Sequence, residues 1–208
     1  LYVPEQLLAT PRGRALLNQV EQQPNAIPTT PAILAELSDV ETSQGIIAAV
    51  PLPQITPTTL TLVLVLDGVQ DPGNVGTLLR SAEAAGVDLV VGLVGTADVW
   101  SPKVVRAAMG AHFRVPLLDG AEWAAIRPQL APLTAIYAAT QHASLTYDQV
   151  DWRQPVALVV GNEANGVSPE TLQIARQVTI PMAGAVESLN AAIAGSVLLF
   201  EAARQRRS

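Results

Sequence analysis

The chain of 208 residues carries 18 acidic and 12 basic side chains, so its formal net charge is −6. Hydrophobic residues make up 49% and charged residues 14% of the chain, a balance that excludes a disordered protein. The absence of cysteine excludes disulfides, thiolate nucleophiles and cysteine-bound zinc, and His112 and His142 are too few and too far apart for a metal cluster. We expect neither a transmembrane helix nor a signal peptide, and therefore a cytoplasmic protein. Taken alone, the acidic balance argues against a nucleic-acid partner.

The first 60 residues differ from the rest because they contain half of the chain's 16 prolines. Proline fixes φ and removes a hydrogen-bond donor, so long regular elements are not expected here. The pattern predicts helices over residues 10–20 and 31–37, and a short strand over 46–50. We assign residues 1–52 to a small, partial N-terminal α/β domain and residues 53–60 to a linker.

From residue 61 onward, strands and helices alternate, and we assign residues 61–208 to one domain. Several strands are continuous apolar runs, which is typical of strands buried on both faces. This alternation predicts an α/β fold: a parallel sheet covered by helices on both faces. The predicted strands are 62–66, 89–91, 115–117, 134–139, 156–160 and 178–180. The predicted helices are 74–85, 102–109, 122–129, 169–175 and 188–204.

Ligands of open parallel sheets bind at the carboxyl ends of the strands, and the first strand ends in a loop rich in Gly, Pro, Asp and Asn. Asn74 is a good N-cap for the helix that follows. Arg80 lies two turns into that helix, where it can meet a ligand or form an ion pair with Glu83 at i+3.

The loop after the strand at 156–160 contains two glycines, Gly161 and Gly166, at the spacing of a phosphate-binding P-loop. Val167 stands where that loop requires lysine, which disfavours a nucleotide triphosphatase. Glu163 follows a buried strand almost directly, so its carboxylate must be solvated, paired or holding a ligand.

A third loop opens the last helix. Ser188 is a natural N-cap, and Asn190 falls in the first turn, where its side chain can face a ligand. The last helix has a face without large side chains, formed by Ala191, Ala194 and Gly195. Such a face favours close helix packing, either in the core or across a dimer. A ligand can still bind next to this packed face.

These three loops carry motifs that together resemble the SpoU (TrmH) family of RNA ribose 2′-O-methyltransferases, in the SPOUT superfamily. The resemblance covers about residues 61–205, and residues 101–111 are similar to the family's connecting segment, although Ala108 stands where the family often has serine. Residues 38–46 resemble the end of the family's small N-terminal substrate-binding domain, whose start we expect to be missing. The motifs read DPGNVGTLLRSAEAAG, LVVGNEANGVS and IPMAGAVESLNAAIAGSVLLFEA.

The resemblance implies a C-terminal deep trefoil knot, bound S-adenosylmethionine, a homodimer and an RNA substrate, with no metal and no membrane. Ribosomal RNA is favoured over transfer RNA, and a non-catalytic RNA-binding module that keeps the fold remains an alternative. The implied catalytic residues are Arg80, Asn74, Glu163, Ser188 and Asn190. The implied cofactor-binding residues are Gly161, Asn162, Glu163, Ile180, Met182 and Leu189.

Basic residues of the motif region revise the first inference from net charge. We expect RNA phosphates to bind a local cluster of Arg80, Lys103, Arg106 and Arg114. A second basic cluster lies near the end of the chain and consists of Arg204, Arg206 and Arg207. These side chains either form a solvated helix end, where they complement the dipole of the last helix, or they join the residues that contact RNA.

Overall fold

The computed structural model describes residues 1–38, 40, 42–186 and 188–207. Asp39 and Glu41 of the predicted N-terminal similarity, and Glu187 of the third motif, lie outside the described residues. The chain divides into two compact units, Leu1–Leu52 and Pro53–Ser208.

In the first unit, each of the three described helices begins at a proline: α1 at Pro4–Leu8, α2 at Pro11–Val20 and α3 at Pro31–Glu36. Proline suits a helix start because the N–H it lacks would have no partner there. A threonine precedes α2 and another precedes α3, and each accepts a hydrogen bond from the first turn of its helix. The two longer helices agree with the prediction from the sequence.

The strand predicted over residues 46–50 is wrong. Ile46 forms only an isolated bridge with Tyr2, and residues 47–50, all of which the structure describes, belong to no strand. The bridge is antiparallel and is accompanied by hydrogen bonds from the Val3 N–H to the Gly45 carbonyl (2.8 Å) and from the Ile47 N–H to the Leu1 carbonyl (2.9 Å). Among its described residues, this unit is therefore helical, with a small core of Tyr2, Leu7 and Leu17.

The second unit contains a six-stranded parallel sheet within its described residues, in the order β3-β2-β1-β5-β4-β6. The strands are β1 (Leu62–Asp67), β2 (Leu89–Leu93), β3 (Leu117–Ala121), β4 (Ala135–Ala139), β5 (Val156–Gly161) and β6 (Arg176–Val178). The helices are α4 (Pro72–Ala85), α5 (Pro102–Ala107), α6 (Trp123–Ile126), α7 (Pro169–Ile174) and α8 (Ala191–Arg206), with 3-10 turns at Ala111–Phe113 and Tyr147–Gln149.

The two central strands, β1 and β5, are buried along their whole length. One face of the sheet packs on a cluster that includes residues of α4, α5 and α8, and the other face packs on a cluster that includes residues of α6. The register pairs Asp67 with Gly161, so β1 and β5 end side by side. This confirms the predicted parallel α/β sheet and places the two glycine-rich loops next to each other.

Some boundaries differ from the prediction. Strand β3 begins at Leu117, where the predicted strand ends, and β6 lies at Arg176–Val178 instead of 178–180. Both are edge strands, and β6 begins with two exposed polar residues, so an apolar run does not mark it. Helix α6 ends at Ile126, well before residue 129, because Pro128 cannot donate to the helix.

Arg206, near the end of α8, fastens this helix to the amino ends of β1 and β5. Its guanidinium donates to the carbonyl oxygens of Trp152 (2.7 Å), Thr61 (2.8 Å) and Gln154 (2.7 Å), and to Thr61 Oγ1 (2.9 Å). Arg206 is thus part of the fold, whereas Arg204 bridges to Glu201 and Arg207 donates to the Ala203 carbonyl. The Arg206 guanidinium is therefore held within the fold and does not form the solvated helix end that the sequence left open.

We expect Arg206→Ala to lower the free energy of unfolding by about 2 kcal/mol, because hydrogen bonds to a charged group are lost and three carbonyls lose a donor. Thermal or urea unfolding measures the change. Arg207→Ala is the matched control and should leave stability nearly unchanged. Equal stability of the two variants would contradict a fastening role for Arg206.

Candidate functional site

The carboxyl ends of β1 and β5 are joined by side chains of both loops. The buried Asp67 carboxylate, at the end of β1, accepts hydrogen bonds from the Ser168 N–H (2.7 Å) and from Thr171 Oγ1 (2.6 Å). At the start of the loop after β5, Asn162 Nδ2 donates a hydrogen bond to the Gly68 carbonyl in the loop after β1, at 2.9 Å. The loop after β5 is therefore held to the loop after β1 at both of its ends.

Glu163 makes the central link between these loops. Its carboxylate accepts hydrogen bonds from the backbone N–H groups of Gln70 (3.2 Å) and Asp71 (3.3 Å) and from Asn74 Nδ2 (2.8 Å). Desolvation by burial acts to raise the pKa of Glu163, but the hydrogen bond from Asn74 and those from backbone N–H groups outweigh it and lower the pKa. The side chain is thus an ionised acceptor engaged by three donors, and it clamps the start of α4.

Two of the predicted helix caps are wrong, and the difference matters for the site. Asp71, three residues before Asn74, caps α4 by accepting from the Asn74 N–H at 2.8 Å. Asn190 takes the place predicted for Ser188 and caps α8, accepting from the N–H groups of Ala192 and Ile193. The Asn74 side chain is consequently available to bridge Glu163 and Asn190, whose Nδ2 donates to Asn74 Oδ1 at 3.0 Å.

Three side chains, one from each predicted motif, are joined by hydrogen bonds. We call this group the polar junction, and it consists of Asn74, Glu163 and Asn190. Asn74 lies on α4, Glu163 in the loop after β5, and Asn190 at the start of α8. Three of the five predicted catalytic residues therefore meet through direct hydrogen bonds. Ser188 is exposed and lines the neighbouring cleft, and Arg80 is exposed on α4.

A cleft of about 610 Å³ opens beside the polar junction, at the carboxyl edge of the sheet. Its walls come from the ends of β4, β5 and β6, the segments after them, and α8. All six residues predicted to bind the cofactor line it: Gly161, Asn162, Glu163, Ile180, Met182 and Leu189.

The lining of this cleft fits a flat, partly apolar ligand. The volume falls in the range of about 300–1,000 Å³ that is typical of small-molecule sites. Met182 and Leu189 are 37% and 36% exposed, which leaves apolar surface uncovered at the cleft. Apolar side chains together with backbone N–H and C=O groups form the usual lining of a small-molecule site and are compatible with an adenosine group.

Two glycines keep the cleft walls close together. A Cβ on Gly161 would overlap the backbone of Gly166 and Val167, and a Cβ on Gly195 would lie 2.5 Å from Leu78 Cδ2. Gly195 is thus packed in the core between α4 and β5, which excludes the dimer contact left open for it from the sequence. Ala191 and Ala194, on the same helix, line the cleft.

The predicted cluster of cations lies on α4, α5 and the turn after α5. The alternative ion pair of Arg80 with Glu83 is not formed, because Glu83 accepts two hydrogen bonds from Arg114, at 2.5 and 3.0 Å. The hydrogen bond from Arg114 lowers the pKa of Glu83, and the charge of Arg80 adds to this. Lys103 and Arg106 are exposed on α5, and neither forms an ion pair within the part of the chain that the structure describes.

Sequence reasoning missed several residues of the site. Asp67 and Thr171 form its buried support, and Thr140, Gln141 and His142 line the cleft after β4. The polar run directly after the predicted strand at 134–139 was an available signal for the last three. Among the described residues, no group of three or more His, Asp or Glu side chains is arranged to hold a metal, and none of the helices combines the length with the apolar character that a membrane span requires.

The fold and the cleft define a parallel α/β protein with a small-molecule site at the carboxyl edge of its sheet. The sequence pattern of the SpoU rRNA Methylase family matches residues 61–200, and the chain belongs to this family.

The relatives and solved structures similar to this chain include rRNA methyltransferases. Mouse mitochondrial rRNA methyltransferase 3 is 36% identical over 233 residues, covering 84% of this chain and 56% of the mouse protein, so the chain spans about half the length of that relative. The 23S rRNA (guanosine(2553)-2′-O)-methyltransferase RlmP of Bacillus subtilis is 35% identical over 165 residues, covering 79% of this chain and 66% of RlmP.

The crystal structure of the SpoU methyltransferase AviRb from Streptomyces viridochromogenes, in complex with AdoMet, superposes with a TM-score of 0.80 at 29% identity. The match covers 95% of this chain and 79% of AviRb.

Proposed function

We propose that this chain is the catalytic part of an S-adenosylmethionine-dependent methyltransferase that modifies a ribose 2′-hydroxyl of ribosomal RNA. The observation that carries the proposal is the polar junction, which ties the helix bearing Arg80 to the wall of the cleft. Family membership, the AdoMet complex of AviRb and the 2′-O specificity in the name of RlmP support it.

The cleft suits the cofactor. Ile180, Met182 and Leu189 would contact the adenine, and backbone groups of Gly161 and Asn162 would meet its edges. When bound, S-adenosylmethionine supplies an electrophilic methyl group on its sulfonium. Glu163 lines the same cleft, so the residue that clamps α4 also borders the cofactor site.

Arg80 would act on the RNA side of the reaction. A guanidinium holds its proton firmly and is a poor base, so its role is to stabilise the developing 2′-alkoxide or to hold the adjacent phosphate while that phosphate takes the proton. The polar junction would fix α4, and with it Arg80, relative to the cleft. Methyl transfer depends on such positioning, because the reacting atoms must be about 3–3.5 Å apart.

The finer features implied by the resemblance belong to the same proposal: the C-terminal trefoil knot, a homodimer, an RNA-binding role for residues 1–52 and a cytoplasmic location. For the homodimer, α8 offers a specific support. Ile193 and Phe200, at i and i+7 on this helix, are 53% and 47% exposed and leave an apolar stripe that a second copy can cover.

A methylation assay tests the function. The chain is incubated with radiolabelled S-adenosylmethionine and either ribosomal or transfer RNA that lacks modifications, and ribose-methylated positions are then mapped. We expect label at a 2′-oxygen of ribosomal RNA. Label only in transfer RNA would overturn the substrate assignment, and absence of cofactor binding by calorimetry would favour a non-catalytic RNA-binding module.

The lowered pKa of Glu163 gives the cofactor affinity a defined pH dependence. A carboxylate with a depressed pKa supports the clamp above its ordinary value of 4.5 and loses it only as the pH falls through the lower folded value. We expect the dissociation constant for S-adenosylmethionine to be constant from neutral pH down to about 4.5 with respect to this group, and to rise at more acidic pH. Glu163→Gln, measured by the same calorimetry, should bind more weakly at neutral pH and lack this acidic limb. An identical pH profile for both proteins would contradict the clamp.

A further inference from the structure

Within the part of the chain that the structure describes, the exposed residues among the phenylalanines, tyrosines and tryptophans are two phenylalanines. Phe113 is 53% exposed and Phe200 is 47% exposed, whereas the tyrosines and tryptophans are buried or half-buried. A single exposed apolar side chain is common on protein surfaces, so the surroundings of each ring decide whether it has a partner.

The surroundings of the two rings differ. Phe200 shares the apolar stripe of α8 with Ile193, and the next basic residue along the helix, Arg204, is bridged to Glu201. Phe113 ends the 3-10 turn that follows α5, directly before Arg114 and within one short stretch of chain from Lys103 and Arg106. An exposed aromatic ring on the same short segment as two exposed cations suits a ligand that is both flat and anionic.

The turn that carries Phe113 is held firmly against α4. Arg114 makes its two hydrogen bonds to Glu83 of α4, and α5 packs so closely on α4 that a Cβ on Gly76 would overlap Ala107. Arg80 lies one turn before Glu83 on α4. The exposed ring and the proposed catalytic arginine are therefore fixed on one rigid pair of elements.

Met109, in the turn between α5 and the 3-10 turn, is the one non-glycine residue with a positive φ (52°) in the part of the chain that the structure describes. Its side chain is 66% exposed, so a strained backbone position presents an apolar side chain to solvent. Strain of this kind is concentrated at sites that contact ligands. The thioether is also a favourable neighbour for an aromatic or heteroaromatic ring.

We propose that Phe113, together with Met109 four residues earlier on the same segment, forms a stacking surface for a base of the RNA substrate, and that Lys103 and Arg106 bind the phosphates on either side of that base. This inference rests on the proposed function for its choice of RNA. Sequence-tolerant recognition of unpaired RNA combines aromatic stacking with a basic groove in this way. It also explains how an acidic protein binds RNA, because stacking adds affinity that does not depend on net charge.

The test compares Phe113→Leu and Phe113→Trp, since leucine keeps the apolar bulk and loses the flat ring. The probe is an in vitro transcript of large-subunit ribosomal RNA, with binding measured by filter retention and methylation measured as separate KM and kcat values. Stacking is worth about 1–3 kcal/mol per base, so Phe113→Leu should weaken RNA binding and raise the KM for RNA about tenfold. Phe113→Trp should restore both values. Val94→Ala, at an exposed apolar residue after β2, is the control that should match the unchanged protein.

The outcomes separate this inference from the proposed function. If the protein methylates RNA and Phe113→Leu keeps its affinity and KM, the stacking surface is wrong and the function stands. If the protein binds the transcript without methylating it, the function fails and the affinities of the variants still decide the stacking. A change of oligomeric state in Phe113→Leu, measured by light scattering, would assign the surface to a second copy and overturn the inference.

Discussion

Replacing Arg80 with alanine is expected to abolish methyl transfer to RNA and to leave binding of S-adenosylmethionine nearly intact. Arg80 is exposed on α4 and does not line the cleft, so its loss removes nothing that holds the cofactor. Loss of a single preorganised donor to a developing oxyanion costs about 10²–10³-fold in rate. Single-turnover methylation of ribosomal RNA measures the rate, and calorimetry measures the cofactor affinity.

Arg127→Ala provides the control for this experiment. Arg127 is also exposed, but it follows α6, which packs on the opposite face of the sheet. We expect it to methylate RNA at the rate of the unchanged protein. Loss of cofactor binding together with activity in Arg80→Ala would count against a role on the substrate side.

Replacing Gly161 with alanine is expected to weaken cofactor binding. The added Cβ overlaps backbone atoms of Gly166 and Val167, which cannot move aside as a flexible side chain can. The loop must open, and the paired hydrogen bonds between Asn162 and Gly166, at 2.8 and 2.9 Å, would break. The loss of two backbone hydrogen bonds, at about 1 kcal/mol each, should raise the dissociation constant for S-adenosylmethionine by at least about tenfold.

The matched control is Gly184→Ala, because a Cβ at Gly184 meets no atom within 4 Å. This variant should bind the cofactor as the unchanged protein does. Circular dichroism and a melting curve show whether Gly161→Ala is still folded. A folded Gly161→Ala protein with normal affinity would show that the close contact at the end of β5 is not needed for the cleft.

The sequence was most informative where burial leaves a continuous apolar run. Strands β1 and β5 were predicted within a residue of their observed ends, because both faces of each are covered and no polar residue interrupts the pattern. The order of the strands lies outside such reasoning, since pairing of β1 with β5 brings together segments nearly a hundred residues apart. Edge strand β6, with its exposed Arg176 and Gln177, carries no apolar run to find.

The site illustrates a second limit. Its residues were found through the motifs, but their contacts were not, because both relevant helices begin among several residues that are able to cap. Asp71 and Asn74 compete at α4, and Ser188 and Asn190 compete at α8; in each case the cap is the residue other than the one predicted. Capping preferences rank residue types, whereas the position of the first turn is set by how the helix packs on the sheet.

Helix α8 has a consequence for thermodynamic linkage. Its start holds the polar junction, and its last turn is fastened by Arg206 at the other end of the sheet, some 24 Å away at 1.5 Å per residue. When the contacts of Arg206 are lost, a smaller fraction of the molecules is folded, and only folded molecules bind the ligand. The apparent affinity is therefore the intrinsic affinity multiplied by the folded fraction. Conversely, ligand in the cleft draws the equilibrium toward the folded form, and saturating cofactor should recover part of the stability that Arg206→Ala loses. The cofactor site at the start of α8 and the Arg206 contacts at its end are thus coupled through the folding equilibrium, without a direct contact between them.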